Sequence, residues 1–439
     1  MALNYNTQTE DLSSQQEQPP PYSFEPPSQT SPPRRVIMNS MEHENIHPRT
    51  CAIHPLVDDL LRLIFIECLP TIPISDPRFP TIFMQSHPLN VLTNVCTQWR
   101  ELAVGTSELW RDIRIDFVDC DVDYKAGFWN ELGKGILEFW FDQSAAHMLH
   151  VELIIEEPSY ADPYWDYPKH QNLDISFPRC MRSFDDAFSM LPWARLHHLG
   201  LRGVGITPAQ ALALQDCTKL HSLVLTDIYS GDSNLGFSPP SAKSSIIIPD
   251  LYQLTTSLGV SDHWEYLEYL HAENLIDLTL HLMARVHVNE MLSSFLSFCE
   301  KSHCSLEHLT LVYAWAPTAD NVREIFRTLP TLKSFNAIEG SESEAEWAEP
   351  FLNEDVFASL IWEPQWGPVL LPLLQTFTGN GVDIDTFDVA MAFMESRVNQ
   401  GLKKVSFNIE AGDSYKDVWE KLEKLKMLGL DVSGIGLTR

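Results

Sequence analysis

The chain has 439 residues, 44% of them hydrophobic and 21% charged, with a formal net charge of −30. Such a composition is globular, and the length allows one large domain or two to three smaller ones. A surface this acidic repels phosphate backbones and anionic lipid, which argues against nucleic acid and membrane surfaces as partners and favours basic ones.

The opening stretch "MALNYNTQTEDL" lacks a basic region followed by an apolar one, so no signal peptide is expected. No apolar run reaches the roughly 18 residues of a membrane span. The 8 cysteines form no C-x-x-C pair, and a chain of this size needs no disulfide framework. The expected setting is reducing, cytoplasm and/or nucleus, with the cysteines serving as small apolar side chains.

Residues 1–50 are rich in Pro, Gln and Ser and are expected to form a disordered tail. Within it, "PPPY" at Pro19–Tyr22 has the form that aromatic grooves of WW domains accept, which makes a WW-domain protein a candidate partner. An incidental proline run is the alternative. "HENIH", His43 to His47, matches the H-E-x-x-H pattern of zinc proteases. That chemistry needs both histidines on one helix face, and Pro48 follows at once with no apolar stripe around it.

Order is expected from near Ile53. "DDLLRLIFIECL" places Leu60, Leu61, Ile64, Phe65 and Cys68 on one helical stripe, with Asp58 or Asp59 as the N-cap. Leu63, Ile66 and Leu69 add apolar surface on other faces. A proline loop follows. A second helix is expected from Pro88 to about Val104, carrying Leu92, Val95, Cys96, Trp99, Leu102 and Ala103 at spacings of three and four. "TSELW" starts a short third helix, capped by Thr106 or Ser107, with Trp110 on its buried side. "IRIDF" alternates as a strand. Three helices this short make a marginal core, and their apolar surface exceeds what they can bury among themselves.

The run "IHPLVDDLLRLIFIECLP", a proline loop, and "PLNVLTNVCTQWRELAVGTSELWRDIRID" resembles the F-box domain in the form common among mushroom-forming fungi. The shared pattern is a leucine pair ahead of Ile-Phe, then Val-Cys-x-x-Trp-Arg, then Leu-Trp about ten residues on. It covers residues 51–115. The chain departs from the family in having Val57 where a proline usually opens the first helix. The resemblance implies binding to the Skp adaptor, and through it to cullin. The implied contacts are Leu56, Leu60, Leu61, Ile64 and Phe65, then Leu92, Val95, Cys96 and Trp99, then Leu109 and Trp110.

From about Leu149 a unit Leu-x-x-Leu-x-Leu recurs: "LHHLGL" from Leu196, "LHSLVL" from Leu220, "LIDLTL" from Leu275 and "LEHLTL" from Leu306. Degenerate copies start at Leu332, Leu374 and Leu402, with helix-like stretches between. A strand followed by a helix at this period resembles a leucine-rich-repeat solenoid. The position that usually carries Asn or Cys holds Val204, Ile228, Met283 and Ala314, so the repeats are expected to be irregular. The expected fold is therefore α/β: a small three-helix F-box followed by an irregular solenoid of parallel strands and helices over residues 116–439. His197–His198 and the Cys299/His303/Cys304 group are metal candidates in residue type only, since the two histidines are expected on alternate faces of a strand and the second group lacks a second ligand group in sequence.

No basic residue lies between Lys333 and Arg397, while acids run from Glu339 to Glu395. Trp347, Trp362 and Trp366 sit among these acids and prolines, in an apparent insertion near 339–372. They form a candidate substrate-binding patch for a basic protein, or alternatively a solvated loop. No lysine precedes Lys125, which would limit self-modification beside a ubiquitin-transferring machine.

No G-x-S-x-G, P-loop or G-x-G-x-x-G occurs, so no enzyme activity is expected and no cofactor is implied. The expected function is substrate recognition in a Skp–cullin–F-box ubiquitin ligase, with the repeat domain holding the substrate protein. A protein-interaction scaffold outside any ligase is the alternative.

Overall fold

A computed structural model describes residues 57–72, 74, 87–116, 134–154, 188–202, 212–226, 245–258, 266–282, 288–313, 318–339, 352–361, 370–379, 382–410 and 415–438. Residues 56–439 form one compact unit. The tail with Pro19–Tyr22 and "HENIH" lies outside the described residues, as do Leu56, Trp347, Trp362 and Trp366.

The unit opens with helices α1 (Asp58–Glu67), α2 (Pro88–Val95) and α3 (Thr97–Val104), then a 3-10 turn at Ser107–Trp110. Three features differ from expectation. Val57, not an aspartate, is the N-cap of α1, and it makes no side-chain cap bond. Asp58 and Asp59 sit instead in the first turn, where they suit the positive end of the helix dipole. The helix expected over 88–104 is broken at Cys96, whose backbone is extended (φ −160°, ψ 172°). There the Arg100 Nε reaches back to the Thr93 carbonyl at 2.8 Å, satisfying a group the break leaves free. The third helix is only the 3-10 turn, and the Thr106 hydroxyl donates back to the Leu102 carbonyl at 2.7 Å rather than capping it.

Strand β1 (Asp112–Asp116) follows directly and is the edge of a ten-stranded sheet. Helix α4 (Lys134–Gln143) leads to β2 (Leu149–Ile154), β3 (Leu196–Arg202) and β4 (Ser222–Thr226). Then come β5 (Ile246–Ile247), β6 (Gln253–Leu258), β7 (Leu270–His271) and β8 (Asp277–Leu282). Helix α5 (Val288–Ser302), β9 (His308–Tyr313), α6 (Ala319–Thr328), β10 (Ser334–Glu339), α7 (Glu354–Leu360) and β11 (Thr376–Gly379) alternate next. The chain ends with β12 (Val382–Asp383), α8 (Ile384–Val398), β13 (Lys404–Ser406), β14 (Asn408–Glu410), α9 (Tyr415–Met427) and β15 (Gly436–Thr438). The large sheet has the order β1-β2-β3-β4-β6-β8-β9-β10-β11-β13, and its strands pair in parallel throughout.

All seven leucine units fall at strands of this sheet. Their middle leucine positions are in register, from Ile113 through Leu199, Leu254 and Leu309 to Val405, and none of these is more than 1% exposed. Burying one leucine contributes about 1.5–3 kcal/mol, so this row holds the sheet to the helices behind it. The opposite face carries His150, His198, Ser222, Gln253, Asp277 and His308, each in register with its neighbour.

Six strands, β6, β8, β9, β10, β11 and β13, also begin with the same backbone clasp. The His221 carbonyl accepts from the N–H groups of Tyr252 and Gln253, both at 2.9 Å. Tyr252, Ile276, Glu307, Lys333 and Gln375 repeat it at the next five steps, each one carbonyl taking two N–H groups from the following strand.

Helix α7 lies within the segment near 339–372. Asn353 caps that helix, accepting from the Val356 N–H at 3.1 Å, and Val356, Phe357 and Leu360 are buried. Phe357 packs against Phe377 and Phe393 at 5.8 and 5.7 Å, so this stretch supplies core. One expectation is corrected here, that of His197 and His198 on alternate faces of a strand. Two residues separate Leu196 from Leu199, and the register shifts there, so both histidines turn away from the core and approach His150.

Candidate functional site

Helices α1 to α3 bury one side and leave another open. Leu61 and Phe65 point inward from α1, Leu89 and Leu92 from α2, and Leu102 and Ala103 from α3. His87 starts α2 with its Nδ1 accepting the Leu89 N–H at 3.3 Å. Trp110 closes the base, its Nε1 donating to the Ala103 carbonyl at 2.9 Å. Phe65 meets Trp99 with ring centroids 4.9 Å apart.

The adaptor contacts implied by the resemblance divide accordingly. Leu61, Phe65, Leu92, Leu109 and Trp110 are taken up by the chain's own core and are not open to a partner in this conformation. Cys96 and Trp99 are half-buried. Leu60, Ile64 and Val95 are solvent-facing, at 46%, 38% and 53% exposure. Sequence reasoning did not single out Val91, which is also exposed, nor assign Leu63 to this surface. Helix α1 is apolar almost all round, so periodicity alone could not tell its core side from its open side.

A second cluster lies on the polar face of β1 to β6. Glu152, fully buried, accepts from Arg202 Nε at 2.5 Å and from His198 Nε2 at 3.1 Å. Burial works to raise the Glu152 pKa, but the His198 hydrogen bond and the Arg202 charge outweigh it, and the carboxyl is held below its ordinary range. An ionised carboxylate only accepts, so His198 carries its proton on Nε2. Its Nδ1 lies 3.0 Å from the Ser222 hydroxyl, from which it accepts a hydrogen bond in the neutral ring. Beside this, Asp112 pairs with His150 Nδ1 at 2.7 Å. Burial again acts to raise the Asp112 pKa, and His150 and Arg111 together hold it low. His197 stacks on His221 at 4.1 Å, and His221 stacks on Tyr252 at 5.1 Å. Burial, then the neighbouring His221, His150 and His198, push the His197 pKa down.

Gly200 makes the cluster possible. A Cβ there would lie 1.8 Å from Glu152 Oε2 and 2.3 Å from its Cδ. Gly200→Ala is therefore expected to eject Glu152 from between His198 and Arg202, at a cost of about 1–3 kcal/mol. A lowered urea midpoint should show this. The same substitution in a Glu152→Ala background should have little further effect; an equal cost there would rule out the carboxylate as the cause. The spacing His198-x-Gly200-x-Arg202 was readable in sequence, but its partner Glu152 lies 46 residues away from His198 and only strand register brings them together.

The remaining candidates are quickly placed. Cys217 and Cys299 are buried, Cys96 and Cys304 half-buried and Cys68 exposed. Burial, with Asp216 nearby, pushes the Cys217 thiol up to about 12. Among the described residues, no group of three or more His, Cys, Asp or Glu side chains is placed to hold a metal ion. Among them also, no helix is long and apolar enough to cross a membrane.

Fold and surfaces together define a mixed α/β protein. A long parallel sheet is covered by helices on its leucine face and polar on the other, with an apolar helical surface at its first strand. No family model matches the chain, and no curated protein does either.

Proposed function

We propose that the chain is a substrate-recognition subunit of a Skp–cullin–F-box ubiquitin ligase. Helices α1 to α3 act as an F-box that docks on the Skp adaptor. The strands that follow act as an irregular leucine-rich-repeat solenoid whose polar face receives the substrate protein. The chemistry of ubiquitin transfer belongs to other subunits, and the reading carries with it a place in cytoplasm or nucleus. The observation that supports it is the exposure of Leu60 and Ile64 on α1 and of Val95 on α2, two helices whose other sides are packed into the core. Large apolar side chains gathered at a protein's surface mark a protein contact.

Co-expression of the full chain with the Skp adaptor tests it. A stable complex is expected, weakened about a hundredfold by Val95→Asp, because an unpaired charge enters an apolar interface. The melting temperature of the free variant should stay unchanged, since Val95 is open to solvent. Equal binding by the variant, or none by the native chain, would overturn the reading. Adaptor binding without cullin recruitment would point instead to a scaffold outside the ligase.

A further inference from the structure

We propose that Ser222 is an activated nucleophile, a covalent modification site that takes an acyl group from donors with a good leaving group. Nucleophilic serines need a base within hydrogen-bond reach and a third group that fixes the base. Here Ser222 Oγ lies 3.0 Å from His198 Nδ1, and His198 Nε2 lies 3.1 Å from Glu152 Oε2. Glu152 is a positioning residue: wholly buried, held by Arg202 and seated over Gly200, it fixes both the tautomer and the orientation of His198. In its neutral form, with the proton on Nε2, His198 presents a lone pair to the serine. Ser222 is half-buried on the polar face of β4, so its hydroxyl is not sealed in the core.

The surroundings also limit the reaction. Strand β4 is paired on both sides, with β3 and β6, so its backbone N–H groups are spent in the sheet. No backbone donor on β4 is left to hold a developing oxyanion, a contribution worth about a hundredfold to a thousandfold in rate where it exists. Reactivity is therefore confined to donors whose leaving group departs easily, such as aryl esters and thioesters. In the step, the Ser222 Oγ–acyl carbon bond forms and the bond from that carbon to the leaving oxygen or sulfur breaks. The proton passes from Oγ to His198 Nδ1 and on to the leaving group or solvent. Nothing is oxidised or reduced. The product is an ester on Ser222, formed once per chain, and it stands independently of the ligase reading.

The test treats the full chain with p-nitrophenyl acetate, follows nitrophenol release, and maps the acetyl group by mass spectrometry. The expected result is an acetylated Ser222 peptide, labelled ahead of the chain's other serines. His198→Gln keeps polar contacts but cannot take the proton, and should slow Ser222 labelling by about a hundredfold or more. A purely structural serine would show neither the preferential labelling nor that loss. Acetyl groups spread over other residues with Ser222 unmodified, or equal labelling in the variant with the fold intact, would overturn the proposal. Should the variant not fold, the labelling of Ser222 relative to the other serines of the native chain decides: no preference overturns the proposal.

Discussion

Trp110→Ala is expected to lower stability by about 3–5 kcal/mol, the range for removing a large buried aromatic side chain. The residue is 4% exposed and sits where the helices meet the sheet, two residues before β1. Its ring meets Trp140 edge-on at 4.9 Å, and its Nε1 satisfies the Ala103 carbonyl near the end of α3. The substitution therefore opens a cavity and also removes one of two donors to the Ala103 carbonyl, which keeps the Thr106 N–H at 3.2 Å. Trp110→Phe should recover most of the loss, since it refills the space and forfeits only the hydrogen bond. Urea midpoints from far-ultraviolet circular dichroism measure both. A loss no larger for alanine than for phenylalanine would mean that the helices do not depend on this ring.

Acid should weaken the same region through His87. Burial pushes the pKa of His87 down to about 4 from an ordinary value near 6.5. Its imidazole is 2% exposed, packs edge-on to Trp140 at 5.4 Å, and must keep Nδ1 free to accept the Leu89 N–H. Because the folded pKa lies below the unfolded one, the stability involved is fully present above about pH 6.5. It is lost as pH falls toward about 4, where the unfolded chain gains a proton that the folded one refuses. The shift corresponds to about 3 kcal/mol. Asp112 and Glu152 also have lowered pKa values and add to acid loss, but below the ordinary carboxylate range near 4. His87→Asn keeps a capping acceptor that does not titrate. Its urea midpoint should fall less than that of the native chain between about pH 6.5 and about pH 4. Parallel curves would show that His87 is not the group responsible.

Much of the sheet was legible because its core positions are leucines at fixed spacing. Strand β6 was not, because Thr256 fills a buried leucine position there, fully enclosed, and Leu251-x-x-Leu254 stops short of the pattern. The strand "IRIDF" was legible as a strand but not as the first member of the sheet. Only its pairing with β2, from Asp112 to His150 onward, assigns it there. The break at Cys96 had no Gly or Pro to announce it, and the helical spacing of Leu92, Val95, Cys96 and Trp99 ran straight through it. The network of Glu152, His198 and Ser222 was hidden for a different reason. It joins three strands far apart in the chain, and no local pattern encodes strand register.

The backbone clasp at the start of six successive strands of the sheet, from β6 to β13, has a further consequence. It uses no side chain, so any residues other than proline at the two donor positions can satisfy it. Once one carbonyl has gathered two N–H groups of the next strand, the height of that strand is set, however long the stretch between. From Leu220 to Leu275 the chain fits an extra strand pair, whereas from Leu306 to Leu332 it needs a single helix, and the clasp is the same at both. The architecture therefore behaves like a staircase with standard treads and risers cut to order. Loops and helices can lengthen, shorten or be exchanged over evolutionary time while the polar face keeps its even pitch, so new surface can be tried beside old without re-registering the sheet.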